Sequence, residues 1–140
     1  MATDLAAPEW VRPDLVEVPD LGRAPRAGDR VALVASRCTE CGRVEFPPRA
    51  ACPVDQAPAE THPLSEEAVL TGFTTVHHPP PGALVAAPYH VGVASFGRSI
   101  RVLGLLLDED GVPGLGTPVV TVATEFAPGR LTYAFAPVPG

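Results

Sequence analysis

At 140 residues the chain has room for one domain, or for one domain with a small appendage. Its 18 prolines and 13 glycines exclude a helical bundle, because proline removes a backbone donor and pushes its neighbour out of α geometry. A formal net charge of −6, from 16 acidic and 10 basic residues, argues against a nucleic-acid partner, which needs a cationic surface to displace counterions from phosphates.

Residues 1–28 read as an N-terminal arm. Pro8, Pro13, Pro19 and Pro25 interrupt it too often for a helix of ordinary length. Residues 1–7 read as a tail. Trp10, Val11, Leu15 and Val16 are the anchors expected further on, and Trp10, the single tryptophan, is the residue of this stretch best suited to a partner surface. No run in the first thirty residues is apolar enough for a signal peptide, and Val102 to Leu107 is far too short to span a bilayer. An odd number of cysteines, three, fits a reduced compartment better than a disulfide framework. A soluble, cytoplasmic protein is the expectation.

Residues 29–62 read as a small module of two knuckles. A strand is expected over residues 29–36, then Cys38-Thr39-Glu40-Cys41-Gly42, a short strand over residues 43–46, Pro47-Pro48, and Cys52-Pro53-Val54-Asp55. A two-residue gap between ligands places both on one side of a tight turn, and Gly42 stands where such a turn often needs positive φ. The full pattern is C-x2-C-x10-C-x2-D. Zinc accepts thiolate and carboxylate ligands, so Cys38, Cys41, Cys52 and Asp55 form a candidate metal set, with His62 or His77 as substitutes for Asp55. The competing possibility is a degenerate ribbon that holds its shape without metal, its cysteines acting as small buried apolar groups.

Residues 63–140 read as β throughout. Strands are expected over residues 69–77, 89–96, 99–107, 118–126 and 130–135, with tight turns at Gly97-Arg98 and Ala127-Pro128-Gly129. Five short strands with regular turns suit an OB-type Greek-key barrel, and a sandwich fits the same periodicity. The fold class is thus mainly β: a zinc-ribbon-like module followed by a five-stranded barrel.

Catalytic groups are sparse. His77 and His78 adjoin on a strand end, where alternation sends them to opposite faces unless the strand has finished. No phosphate-cradling glycine loop and no nucleophile elbow occurs. Phe73 and Tyr89 are candidates for stacking on a flat ligand ring, and Arg98 and Arg101 for meeting phosphates, although core packing and solvated strand edges account for the same residues. His77 joins the candidate ligand set, and Pro80 and Pro81, in a stiff loop, join Trp10 as candidate partner contacts.

The run from Cys38 through Gly42, Phe46, Pro47, Pro48 and Arg49 to Cys52-Pro53 resembles the ribbon of the domain-of-unknown-function thirty-five family. Leu70-Thr71-Gly72-Phe73, Pro80-Pro81-Gly82, Pro88-Tyr89 and Phe135-Ala136-Pro137 are similar to pieces of its barrel. The resemblance implies a rubredoxin-like zinc ribbon ahead of an OB-fold, and departs from the family at Asp55 and in the non-helical N-terminus. It also implies a role: an accessory or bridging subunit for a thiolase, a thiolase-like aldolase or a hydratase, one that can help hold acyl-CoA. The alternative is a stand-alone ligand-binding protein or hydrolytic enzyme using the His77-His78 loop.

Overall fold

The computed structural model describes residues 9–18, 22, 24–64, 67–78, 88–97, 100–107 and 113–138, which form two sheets and, as their one helical element, a 3-10 turn at Pro13–Leu15. In chain order the strands are β1 (Glu9–Trp10), β2 (Val16–Glu17), β3 (Ala32–Cys38), β4 (Val44–Glu45), β5 (Ala59–Leu64), β6 (Ala68–Val76), β7 (Tyr89–Phe96), β8 (Ile100–Leu106), β9 (Pro118–Ala127) and β10 (Arg130–Pro137).

The five long C-terminal strands close into a barrel in the order β6-β7-β8-β10-β9, with β9 returning to β6. All its pairings are antiparallel except β8 with β10, which run parallel and meet only at Leu105↔Ala134 and Leu106↔Phe135. Strand alternation does the sorting. On β7, Gly92, Ala94 and Phe96 are buried while Val91, Val93 and Ser95 are only partly so. The interior is filled by Leu70, Ala94, Phe96, Val102, Leu106, Val119 and Phe135, with the Phe96 and Phe135 rings 6.2 Å apart and tilted.

Two strand edges of the barrel are only partly used by barrel strands, and the N-terminal chain takes up the remainder. β9 meets β6 at just two positions, Val119 and Pro118. Further along, Gly28 N donates to Ala123 O (2.9 Å), Val31 N to Thr121 O (3.1 Å), and Ala123 N to Asp29 O (2.8 Å). β10 diverges from β8 over its first half, and there β1 runs alongside it in parallel, Glu9↔Arg130 and Trp10↔Leu131. Backbone donors and acceptors that would otherwise stand open are thereby paired.

The second sheet centres on β3, flanked by β2, β4 and β5, all antiparallel to it. It is not a separate body. Leu33, Ala35 and Leu64 from this sheet lie in the same buried cluster as the barrel interior, with Val16, Val44 and Phe46 packed against it. The expected arm is therefore built onto both parts: β1 on the barrel, the buried Leu15 in the intervening turn, and β2 on the ribbon sheet. The 3-10 turn is held by Leu15 N donating to Arg12 O (3.1 Å), with the Arg12 guanidinium donating to both Asp14 carboxylate oxygens (3.0 and 2.8 Å).

The strand expected over residues 29–36 begins at Ala32, because residues 28–31 are engaged with β9 instead. β5 lies where no strand was expected. Its sequence, Ala-Glu-Thr-His-Pro-Leu, lacks apolar alternation, and Pro63 is tolerated because β5 pairs only with β3. No helix of the described residues is long and apolar enough to cross a membrane.

Candidate metal centre and apolar face

The first knuckle follows directly from β3. Cys38 ends that strand, the chain turns through Thr39 and Glu40 to Cys41, and Gly42 N donates back to Cys38 O (3.1 Å) with Gly42 at φ +77°. The second knuckle repeats the turn between β4 and β5. Gln56 N donates to Cys52 O (3.0 Å), and Gln56 itself lies at φ +63°, a conformation disfavoured for any residue with a Cβ. Each turn aims backbone amides at its first cysteine. Glu40 N and Cys41 N point at Cys38 Sγ (both 3.4 Å), and Val54 N points at Cys52 Sγ (3.4 Å).

The four expected ligands converge. One ligand atom from each of Cys38, Cys41, Cys52 and Asp55 lies within 4.8 Å of the others, and among the described residues neither His62 nor His77 belongs to the group. Cys41 and Cys52 sulfurs are 3.7 Å apart, and Cys38 Sγ is 3.5 Å from both Asp55 oxygens. A tetrahedral zinc with ordinary bond lengths requires edges of about 3.8 Å between sulfurs and about 3.5 Å between a sulfur and a carboxylate oxygen. The donor set therefore fits zinc in both chemistry and size.

Among these protein groups alone, the amides aimed at them also set their proton affinity. The Cys41 and Glu40 amides hold the Cys38 thiol below its ordinary value against the effect of burial. Cys41 is drawn down by the Arg43 amide, but the neighbouring Cys38, burial, Cys52 and Asp55 outweigh this and push it up to about 11. The Ala57 amide, donating to Asp55 Oδ1 at 2.9 Å, is the main reason that the Asp55 carboxyl titrates below the usual range.

A crevice of about 410 Å³ separates this centre from the barrel, lined by residues 41–46 with Ile100 and Arg101. Arg43 and Glu45 pair across its ribbon wall. Arg101 thus stands at the junction of the two parts.

The other candidate ligand-binding residues are dispersed. Phe73 is opposite Gly92 and Tyr89 is opposite Val76, so their positions are offset by three along β6 and the two rings belong to opposite faces of the ladder. Phe73 is 46% exposed. Tyr89 shares a face with Arg101, but Arg101 pairs with Ser95, six residues along β7, or about 20 Å away. His77 and His78 are exposed just beyond β6, and His90 Nδ1 shares a 2.8 Å hydrogen bond with Thr75 Oγ1. Arg98, Pro80 and Pro81 lie outside the described residues. Trp10 is half-buried beside β10, and its indole Nε1 is buried with no hydrogen-bond partner.

An apolar groove of about 350 Å³ was not anticipated. It opens where β10 parts from β8 and is lined by Val11, Tyr89, Val91, Leu103, Leu105, Phe126 and Tyr133, among others. Burial raises the Tyr133 phenol above its ordinary pKa, so it remains protonated and donates to Leu103 O at 2.7 Å. Gly104 makes this possible: a Cβ there would come within 2.6 Å of the Tyr133 ring and 2.9 Å of Phe135. Beside the groove Leu103 is 61% exposed, next to Val91 and Val93 of the same sheet face. The signal in the sequence was the alternation of apolar residues on both phases of β7 and β8, which gives each strand an apolar outer face as well as an apolar inner one.

Comparisons with known proteins divide the chain where the sheets do. Residues 26–59 match the model described as the ChsH2 rubredoxin-like zinc ribbon domain, and residues 61–125 match the ChsH2 C-terminal OB-fold domain. A protein of Methanocaldococcus jannaschii described as a DUF35 domain-containing scaffold protein is 27% identical over 114 residues, covering 76% of this chain and 81% of its own. The benzoylsuccinyl-CoA thiolase subunit BbsA of Thauera aromatica is 32% identical over 106 residues, covering 75% of this chain and 66% of its own. Among solved structures, a chain of an Ltp2-ChsH2(DUF35) aldolase matches with a TM-score of 0.61 and 26% identity, covering 76% of this chain and 84% of that one. A DUF35 protein of unknown function from Sulfolobus solfataricus shares the fold, with a TM-score of 0.50, 18% identity and 76% coverage of both chains.

Proposed function

The chain belongs to the DUF35 family, and from that premise we propose that it is a non-catalytic accessory subunit docking on a larger enzyme of acyl-CoA chemistry, a thiolase or a thiolase-like aldolase. The observation that carries this role is the pair of relatives, one named as a thiolase subunit and one as part of an aldolase, that match across both the ribbon and the barrel.

The molecule has the surface such a role needs. Exposed Leu103 and the partly exposed Val91, Val93 and Tyr89 form an apolar strip on one sheet face, backed by the groove at Val11. Burying it on a partner is favourable by about 25 cal/mol per Å2 of apolar area, less the entropy lost on association. We assign partner contact to this strip, together with Trp10, Pro80 and Pro81. Contact with acyl-CoA falls to Tyr89 on the strip and to the cationic Arg101 about 20 Å along the same face, with Arg98, Phe73 and His77 as further candidates. The ribbon holds zinc through Cys38, Cys41, Cys52 and Asp55, and when bound the ion cross-links the two knuckles and contributes to the folding of the ribbon.

Co-expression with a thiolase or thiolase-like aldolase, followed by size-exclusion chromatography, tests the assignment. The expected result is a stable complex that Leu103→Asp abolishes without unfolding the chain. Absence of a complex, together with acyl-CoA turnover by the isolated chain that His77→Ala removes, would overturn it.

A further inference from the structure

Resting on the reading that the ribbon holds a metal, we infer that Asp55 offers that metal one carboxylate oxygen while the Ala57 amide anchors the other, and that the resulting site of three thiolates and one oxygen favours zinc over softer ions.

The two knuckles correspond residue by residue. Cys38 and Cys52 are both buried and accept amides from within their own turns; Cys41 and Asp55 are both exposed and stand three residues later. Gly42 and Gln56 follow them, each at positive φ and each returning its amide to the carbonyl of the first cysteine. In the second knuckle the next amide, that of Ala57, turns back and donates to Asp55 Oδ1 at 2.9 Å. Asp55 therefore occupies the fourth ligand position with its carboxylate anchored by its own turn.

The difference is in the ligand itself. A thiolate presents one atom to both amide and metal. A carboxylate has two; both lie 3.5 Å from Cys38 Sγ, but Oδ1 already accepts from the Ala57 amide, which leaves Oδ2 as the oxygen free for a metal. Anchoring one oxygen fixes the carboxylate as a single-point ligand and orients it in advance. Replacing one of four thiolates by oxygen also hardens the site. Cadmium and copper(I), which gain most from thiolate, lose more by the exchange than zinc does.

Metal binding by the full-length chain distinguishes the alternatives, with cobalt(II), zinc and cadmium as the probes. Cobalt(II) should give a tetrahedral spectrum whose sulfur-to-metal charge-transfer intensity corresponds to three thiolates, and Asp55→Cys should raise it by about one third. Asp55→Ala and Asp55→Asn should each weaken zinc by more than about tenfold. Asp55→Cys should improve cadmium affinity by about tenfold or more relative to zinc. Zinc affinity unchanged in Asp55→Ala and Asp55→Asn, or a wild-type intensity equal to that of Asp55→Cys, would overturn the ligand assignment and leave the metal reading standing. No binding by the wild-type chain, with binding restored in Asp55→Cys, would overturn both, leaving the Cys38–Asp55 contact as a hydrogen bond in a degenerate ribbon.

Discussion

The ribbon and the barrel are both built of short strands, yet they are held together by different means. The barrel has its own filled interior and nearly complete closure, so its order follows from apolar burial. The ribbon sheet has one strand, β3, paired on both sides, and two turns whose geometry converges on four polar ligands. Its apolar residues, Leu33, Ala35 and Leu64, do not form a separate core but join that of the barrel. A module too small to bury a core of its own thus borrows one and adds a site suited to a metal.

Leu33→Ala should have the largest effect, because it cuts the borrowed core at its seam. Leu33 is fully buried, and the truncation should cost about 3–4 kcal/mol. Denaturation followed by both fluorescence of Trp10 and amide signals in the ribbon should remain one transition, shifted as a whole; two separated transitions would show that ribbon and barrel are independent. Gly104→Ala tests the barrel alone. The added methyl meets the rings of Tyr133 and Phe135, and the strain should cost about 1–3 kcal/mol in chemical denaturation while leaving zinc affinity unchanged. Gln56→Gly tests the ribbon alone, with the opposite sign. Relieving a left-handed conformation should stabilise the chain by about 0.5–1 kcal/mol, offset in part by the greater freedom of glycine when unfolded, and a lower melting temperature would show that the Gln56 side chain holds the turn.

The same contrast explains what could be read from the chain. The barrel strands were legible because their apolar residues alternate, and β7 was placed at its observed limits. The ligand set was legible because two short spacings bring four donors together whatever the surrounding fold. What escaped was decided at long range. β1 and β2 are two residues each, separated by a proline-containing turn, and are strands only because β10 and β3 offer them edges. β5 carries Glu60, His62 and Pro63, poor strand residues recruited by pairing along β3. The parallel meeting of β8 with β10 has no local signature. The apolar groove that opens beside it was hidden for that reason, although every residue lining it was in view.

The pairing of β1 with β10 also has a consequence in time. Glu9 and Trp10 are made more than a hundred residues before their partners Arg130 and Leu131. β10 is also the strand that joins β8 to β9 and so closes the barrel. Until it emerges, the nascent chain holds a barrel open between β8 and β9, with a tryptophan-bearing arm that has nowhere to dock. Closure of the barrel and seating of the arm therefore wait for the same strand, and both are governed by contacts far apart in the sequence. A chain truncated before Arg130 loses more than its terminal strand: it also releases the N-terminal strand more than a hundred residues away.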